Sequence, residues 1–188
     1  MRFALWIIAV ALALPMALRA EDRPGKSELK DLLIERLKKA DIPDIKELWK
    51  LGAEVDSGLA DVVNDRQLEA TIRQKAIRCM GGFQTKKARQ LLRSIVTDPA
   101  WHKEFRVVGI VSFAESLGEE ALDTVRGFCK DPDSEVRYAC VRALDVIGGE
   151  TVLGFLRDLQ LRERAPLVLS AIEKAINRLS KPIWEESE

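Results

Sequence analysis

The chain is poor in the residues that do chemistry. It has one histidine and three cysteines in 188 residues, and no Cys-x-x-Cys or HExxH pattern. That excludes the common zinc sites and zinc hydrolases, whose ligands come in such short spacings. There is no phosphate-cradling glycine loop and no nucleophile elbow. An excess of one charge is missing too, with 30 Lys and Arg against 30 Asp and Glu. A nucleic-acid partner is therefore not expected, because such surfaces are strongly basic. No segment alternates apolar and polar residues between hairpin turns, so strands are not expected either. The composition calls for no cofactor or metal.

One long apolar run is present, and it stands at the start. Arg2 precedes an unbroken apolar stretch from Phe3 to Leu14, Pro15 breaks it, and Ala20 ends a small-residue site before Glu21-Asp22-Arg23. This is the layout of a secretory signal peptide cut after Ala20, although Leu18 stands where a small residue is usual. A retained anchor is the alternative; the 16 residues from Phe3 to Leu18 are short against the roughly 20 that a spanning helix needs. The expected organisation is a signal peptide at 1–20, a linker at 21–26, a helical domain at 27–180 and an acidic tail at 181–188. Export to the periplasm or outside the cell follows, with no membrane insertion after cleavage. Losing Arg2 and Arg19 leaves 28 basic against 30 acidic residues, a charge of −2.

Cys79, Cys129 and Cys140 are odd in number, so they cannot all pair within an exported chain. Cys79 and Cys140 fall on apolar helix faces, where cysteine acts as a small hydrophobe. Buried free thiols are the expectation, and a Cys129–Cys140 bridge between adjacent helices is the alternative.

Helical periodicity covers the rest of the chain. Helices are expected over Ser27–Lys39, Asp44–Leu51, Glu54–Asn64, Arg66–Met80, Thr85–Val96, Lys103–Leu117, Glu119–Lys130, Ser134–Ile147, Thr151–Leu161 and Ala165–Leu179. Laid over one another, they expose a repeat. Ile72-Arg73-x-x-Ala76-Ile77-x-Cys79-Met80 matches Phe105-Arg106-x-x-Gly109-Ile110-x-Ser112-Phe113, and both match Val136-Arg137-x-x-Cys140-Val141-x-Ala143-Leu144. A weaker copy begins at Leu167, with Ala171-Ile172 in register and Val168 where arginine stood. Each copy reads as a long helix, a tight turn, a shorter helix and an Asp-bearing turn. One helix pair cannot cover its own apolar face, so neighbouring pairs must stack. Small residues at 76, 109 and 140 allow the close approach. In the clearest copy, Ser134 is available as the cap after Asp131-Pro132-Asp133, and Gly148-Gly149 ends the helix.

The pattern carried by Asp131, Val136, Arg137, Ala143, Leu144, Ile147 and Gly148 resembles a HEAT-type repeat, especially the short bacterial form. The resemblance spans roughly residues 41–180. It implies an all-α fold, a right-handed α–α superhelix of about four repeats. It also implies a ladder in which turn aspartates Asp65, Asp98 and Asp131 bond helix arginines Arg73, Arg106 and Arg137 as an internal network. Second helices are expected to line the concave side and carry the contact positions. There Glu54, Asp56 and Asp61 are acidic, Lys86, Lys87, Arg89 and Arg93 are basic, and Glu119, Glu120 and Asp123 are acidic again.

These features point to a non-catalytic scaffold for a protein or peptide partner, acidic if the Lys86–Arg93 patch grips it. Trp184 in the tail is a second candidate contact or a cap on the last repeat, and Trp49 is expected in the core. The alternative is a HEAT-like enzyme or chromophore-binding relative using His102 or a cysteine. The paired His-Glu motifs of iron-binding relatives are absent from the sequence.

Overall fold

The computed structural model describes residues 25–39 and 42–181. The proposed signal peptide, and the tail with Trp184, lie outside them. The described residues form ten α-helices and no strand. These are α1 (Lys26–Lys39), α2 (Ile45–Trp49), α3 (Val55–Asn64), α4 (Ala70–Met80), α5 (Lys86–Thr97), α6 (Lys103–Leu117), α7 (Leu122–Phe128), α8 (Ser134–Ile147), α9 (Glu150–Gln160) and α10 (Pro166–Leu179). Seven of the expected helices stand within one residue of their ends. α4 begins four residues late, because Asp65 first closes a turn in which its carboxylate accepts the Gln67 N–H at 2.9 Å. The segment after Leu117 starts as a 3-10 turn, Gly118–Ala121, and becomes α-helical only over the seven residues of α7.

The first helices of successive copies lie side by side, α4 on α6, α6 on α8 and α8 on α10. The second helix of each copy packs chiefly on the first helix of the next one, as α3 on α4, α5 on α6, α7 on α8 and α9 on α10. Apolar cover therefore comes from the neighbouring copy, the arrangement that makes stacking obligatory. The fold is an all-α HEAT-like solenoid, with α1 against α3 and α4 closing its first end.

The core runs continuously through the stack, with Leu33, Leu59, Ile77, Leu92, Ile110, Phe113, Leu144 and Leu156 among its fully buried side chains. Gly109 shows why position 109 is small. A Cβ there would stand 2.7 Å from Ile95 Cγ2, so α5 and α6 meet closer than any side chain would permit. The cap of α8 differs from expectation. Asp133, not Ser134, accepts the Glu135 N–H at 2.8 Å, leaving Ser134 as the first helical residue. An aspartate has the reach and the charge for that position, next to the positive end of the helix.

The last copy corrects the register. α8 and α10 are both 14 residues long and start 32 apart, at Ser134 and Pro166. Val168 thus takes the place of Val136, and Leu169, not Val168, replaces the helix arginine. Leu167, the expected first core residue, is 55% exposed while Val168 is fully buried. The extra residue lies upstream of the turn before α10, because Glu163 and Val168 keep the spacing of Asp131 and Val136. At the position of Ile77, Ile110 and Val141, all fully buried, α10 carries the exposed Glu173. α10, the last helix of the described residues, thus carries a charged residue on the face that its predecessors bury. Lys174 and Arg178 then match Arg142 and Val146, and Arg178 Nε holds Asp145 of α8 at 2.8 Å.

Candidate functional site: a cleft across the first helices

The turn acids and helix arginines make a ladder of a different kind from the expected one. Asp65, Asp98 and Asp131 spend one carboxylate oxygen on the N–H two residues on, at 2.8–2.9 Å. Those are turn-closing bonds. Arg73 donates to the Val63 carbonyl at 2.8 Å and lies over the Phe105 ring at 4.5 Å. Asp65 pairs with Lys30 of α1 at 2.6 Å, which holds its carboxyl below the usual range. Arg106 has a buried Nε with no hydrogen-bond partner. Arg137 makes the one full rung. Its Nε and Nη2 hold Glu163 at 2.8 and 3.1 Å, and Nη1 donates to the carbonyls of Asp131 and Pro132. In the shifted register Glu163 is the fourth turn acid, so this rung joins one copy to the next. The bonds from Arg137, aided by the N–H groups of Ala165 and Arg164, bring its carboxyl down to about 2 against the cost of burial.

The cysteines divide. Cys129 and Cys140 form a disulfide with their Cα atoms 5.5 Å apart, which corrects the expectation of free thiols for two of the three. Their helices, α7 and α8, already pack together, so the bridge needs no distortion. Cys79 is free and buried, and burial pushes its thiol up to about 12. The described structure therefore offers no reactive thiolate. His102 is exposed at the start of α6, beside Trp101. Among the described residues no group of three or more His, Cys, Asp or Glu is placed to hold a metal.

Much of the second-helix patch is engaged in joining copies. Lys87 Nζ donates to Ser57 Oγ at 2.8 Å, Arg89 pairs with Glu120 at 3.3 Å, and Arg93 lies over the Phe113 ring at 5.3 Å. Lys86 is exposed. Asp56, expected at the surface, is buried, and accepts the Thr85 hydroxyl at 2.6 Å, tying α3 to α5. Farther along, Arg126 of α7 lies over Phe155 of α9 at 5.0 Å.

The opposite side of the stack is different. A cleft of about 410 Å³ crosses α4, α6 and α8 on the first-helix side, with Ile42, Pro43 and Ile45 closing one end. Its cause lies in the repeat. Position 74 of α4 is Gln74, its match in α6 is Val107 and that in α8 is Tyr138; one turn on, the series is Arg78, Val111, Arg142. α6 thus sets short branched side chains where its neighbours carry long ones, and a pit opens over it. Gly82 shapes the end, because a Cβ there would overlap Ile45 at 2.5 Å and hold α2 off α4. Trp49, placed in the core from sequence, is 54% exposed, edge-on to Phe83 at 6.4 Å, one helical turn from Ile45. Leu48, the neighbouring residue of α2, takes the core position instead.

Among the described residues, three charged groups rim the cleft: Arg78, Arg142 and Glu115. Glu115 lies over Gly81 near the cleft's mouth, where burial against the apolar wall pushes its carboxyl up and both arginines oppose that shift. Arg142 Nη1 is 3.5 Å from the Tyr138 hydroxyl. Sequence reasoning missed this site. The signal was available in α6, whose outward positions are apolar while its other faces are already buried; a helix apolar all round has a covered face to account for.

Comparison with known families falls on this same part of the chain. Residues 102–177 match the family model of HEAT repeats. The match runs from the start of α6 nearly to the end of α10. No curated protein matches the chain. HEAT repeats commonly mediate protein interaction. No helix among the described residues is long and apolar enough to cross a membrane.

Proposed function

We propose that the chain is an exported, non-catalytic scaffold that binds a protein or peptide partner through the cleft over α6. The observation that carries the reading is the apolar pit itself. Val107, Val108 and Val111 stand half-buried at outward positions of a helix whose other apolar residues are buried. Exposed apolar surface of this kind, rimmed by polar residues, is what a docking site presents. A pit of this volume takes one or two apolar side chains of a partner, as interface anchors require. Export is supported by the apolar amino-terminal run and by the disulfide, which persists in oxidising compartments. The second-helix cations are weaker candidates, because Lys87, Arg89 and Arg93 already have partners within the stack.

The test is capture from envelope extract by the wild type and two variants. V107Q/V111Q puts polar chains into the pit, as Gln74 already does at the equivalent position of α4. K86E/R93E reverses charge on the other side. Loss of a specific captured protein in the first variant alone supports the reading. Loss in the second alone places the contact on the second helices and contradicts it.

A further inference from the structure

We infer that the occupant of the cleft is an acidic peptide segment, bound with an aliphatic residue in the pit over α6 and a carboxylate at each of Arg78 and Arg142. The inference rests on the proposed binding role of the cleft and adds the chemistry of what it takes. Its basis is a broken series. Down the first helices, equivalent positions read Arg78, Val111, Arg142 and Lys174, a basic stripe with one apolar gap. The gap is the floor of the cleft, and the two arginines beside it are exposed. Neither has a carboxylate within salt-bridge distance among the described residues. That separates them from Arg89 of α5 and Arg137 of α8, which are both paired. Among the described residues, Glu115 is the one acid lining the cleft, against two arginines. An anionic ligand is favoured at the flanks and an apolar one at the centre.

Geometry sets the spacing. Arg78 and Arg142 stand on helices two steps apart in the stack, roughly 16–20 Å at the usual interaxial distance of 8–10 Å. An extended chain rises about 3.3 Å per residue, so its two acids fall about five or six residues apart across the stack. Arginine forks are well suited to carboxylates, and the partly exposed rim makes the attraction salt-sensitive. A single fatty acyl chain could fill the pit but carries one carboxylate for two arginines.

The test is fluorescence anisotropy with the mature chain and a labelled, extended undecapeptide. The probe has two glutamates six positions apart flanking Leu-Val-Leu. Control peptides carry lysine for glutamate or serine for the aliphatic residues, and oleate supplies the acyl arm. The expected result is saturable binding of the acidic peptide alone. Affinity should fall at least tenfold in V107Q/V111Q and in R78E/R142E, while K86E/R93E leaves it within twofold. Circular dichroism melts confirm that each variant is folded. Equal binding of the lysine or serine peptide overturns the inference, as does binding of oleate without the peptide. If no peptide binds but V107Q/V111Q still loses the captured envelope protein, the acidic chemistry fails and the cleft stands. If neither depends on the cleft, both readings fail.

Discussion

The two faces of the stack are built from the same repeat and end differently. On the second-helix face, charged side chains cross from copy to copy: Lys26 to Asp61, Lys87 to Ser57, Arg89 to Glu120, Arg126 to Phe155. On the first-helix face between α4 and α8, Arg78 and Arg142 reach past a valine floor and meet no carboxylate among the described residues. A charged face that closes its own pairs holds the solenoid together, whereas a face with an apolar gap and open arginines has interactions left to make. Abundance of charge is thus a poor guide to function here; what matters is whether the charge is already satisfied.

The largest expected effect comes from the core both faces share. Phe113 is fully buried in α6 beneath Arg93. Phe113→Ala should lower the unfolding free energy by about 3–5 kcal/mol in a denaturant titration. A loss under about 1 kcal/mol would show that the copies are not packed as one core.

Next is the rung between the last two copies. Arg137→Ala strands Glu163, whose side chain is only 5% exposed, and should cost about 3 kcal/mol. Arg106→Ala, whose Nε has no bond to lose, should cost clearly less. Equal losses would restore the uniform ladder. The pH dependence has a definite sign. Glu163 titrates near 2 in the folded chain against an ordinary 4.5, so its contribution is complete above about pH 4.5 and is lost as pH falls toward 2. The gap between wild type and Glu163→Gln should therefore close over that window, and a gap that widens on acidification would contradict the assignment.

A smaller effect is expected from the disulfide. The Cys129–Cys140 bridge spans 11 residues of sequence, and C129S/C140S should cost about 2–3 kcal/mol at equilibrium. Reduction of the wild type should produce the same shift, and no shift would mean the thiols are free. The smallest expected effect is Arg89→Ala. Its partner Glu120 is largely exposed, so the loss in a thermal melt should stay below about 1 kcal/mol.

The fold was largely legible, because the repeat writes its core positions three times in the same order. Val136, Cys140, Val141 and Leu144 are buried where Phe105, Gly109, Ile110 and Phe113 predict them. The last register was not, since a one-residue insertion upstream of the turn leaves no mark on the periodicity of α10, and Leu167 is as apolar as Val168. The partners of the arginines were not legible either. An arginine reaches several acceptors, and whether Arg73 meets Asp98 or an aromatic ring depends on turn geometry that spacing does not encode. The cleft was hidden for a related reason. A valine at an outward position looks like core until its neighbours in adjacent copies are known to be longer.

The claim that the first-helix cleft does the binding is tested most directly by site-specific photo-crosslinking in intact cells. A photoreactive phenylalanine analogue is installed at position 111, on the cleft floor, and separately at position 86, on the second-helix face. A discrete protein adduct from position 111, lost when R78E/R142E is added, with none from position 86, is the expected result. An adduct from position 86 and none from 111 would contradict the account.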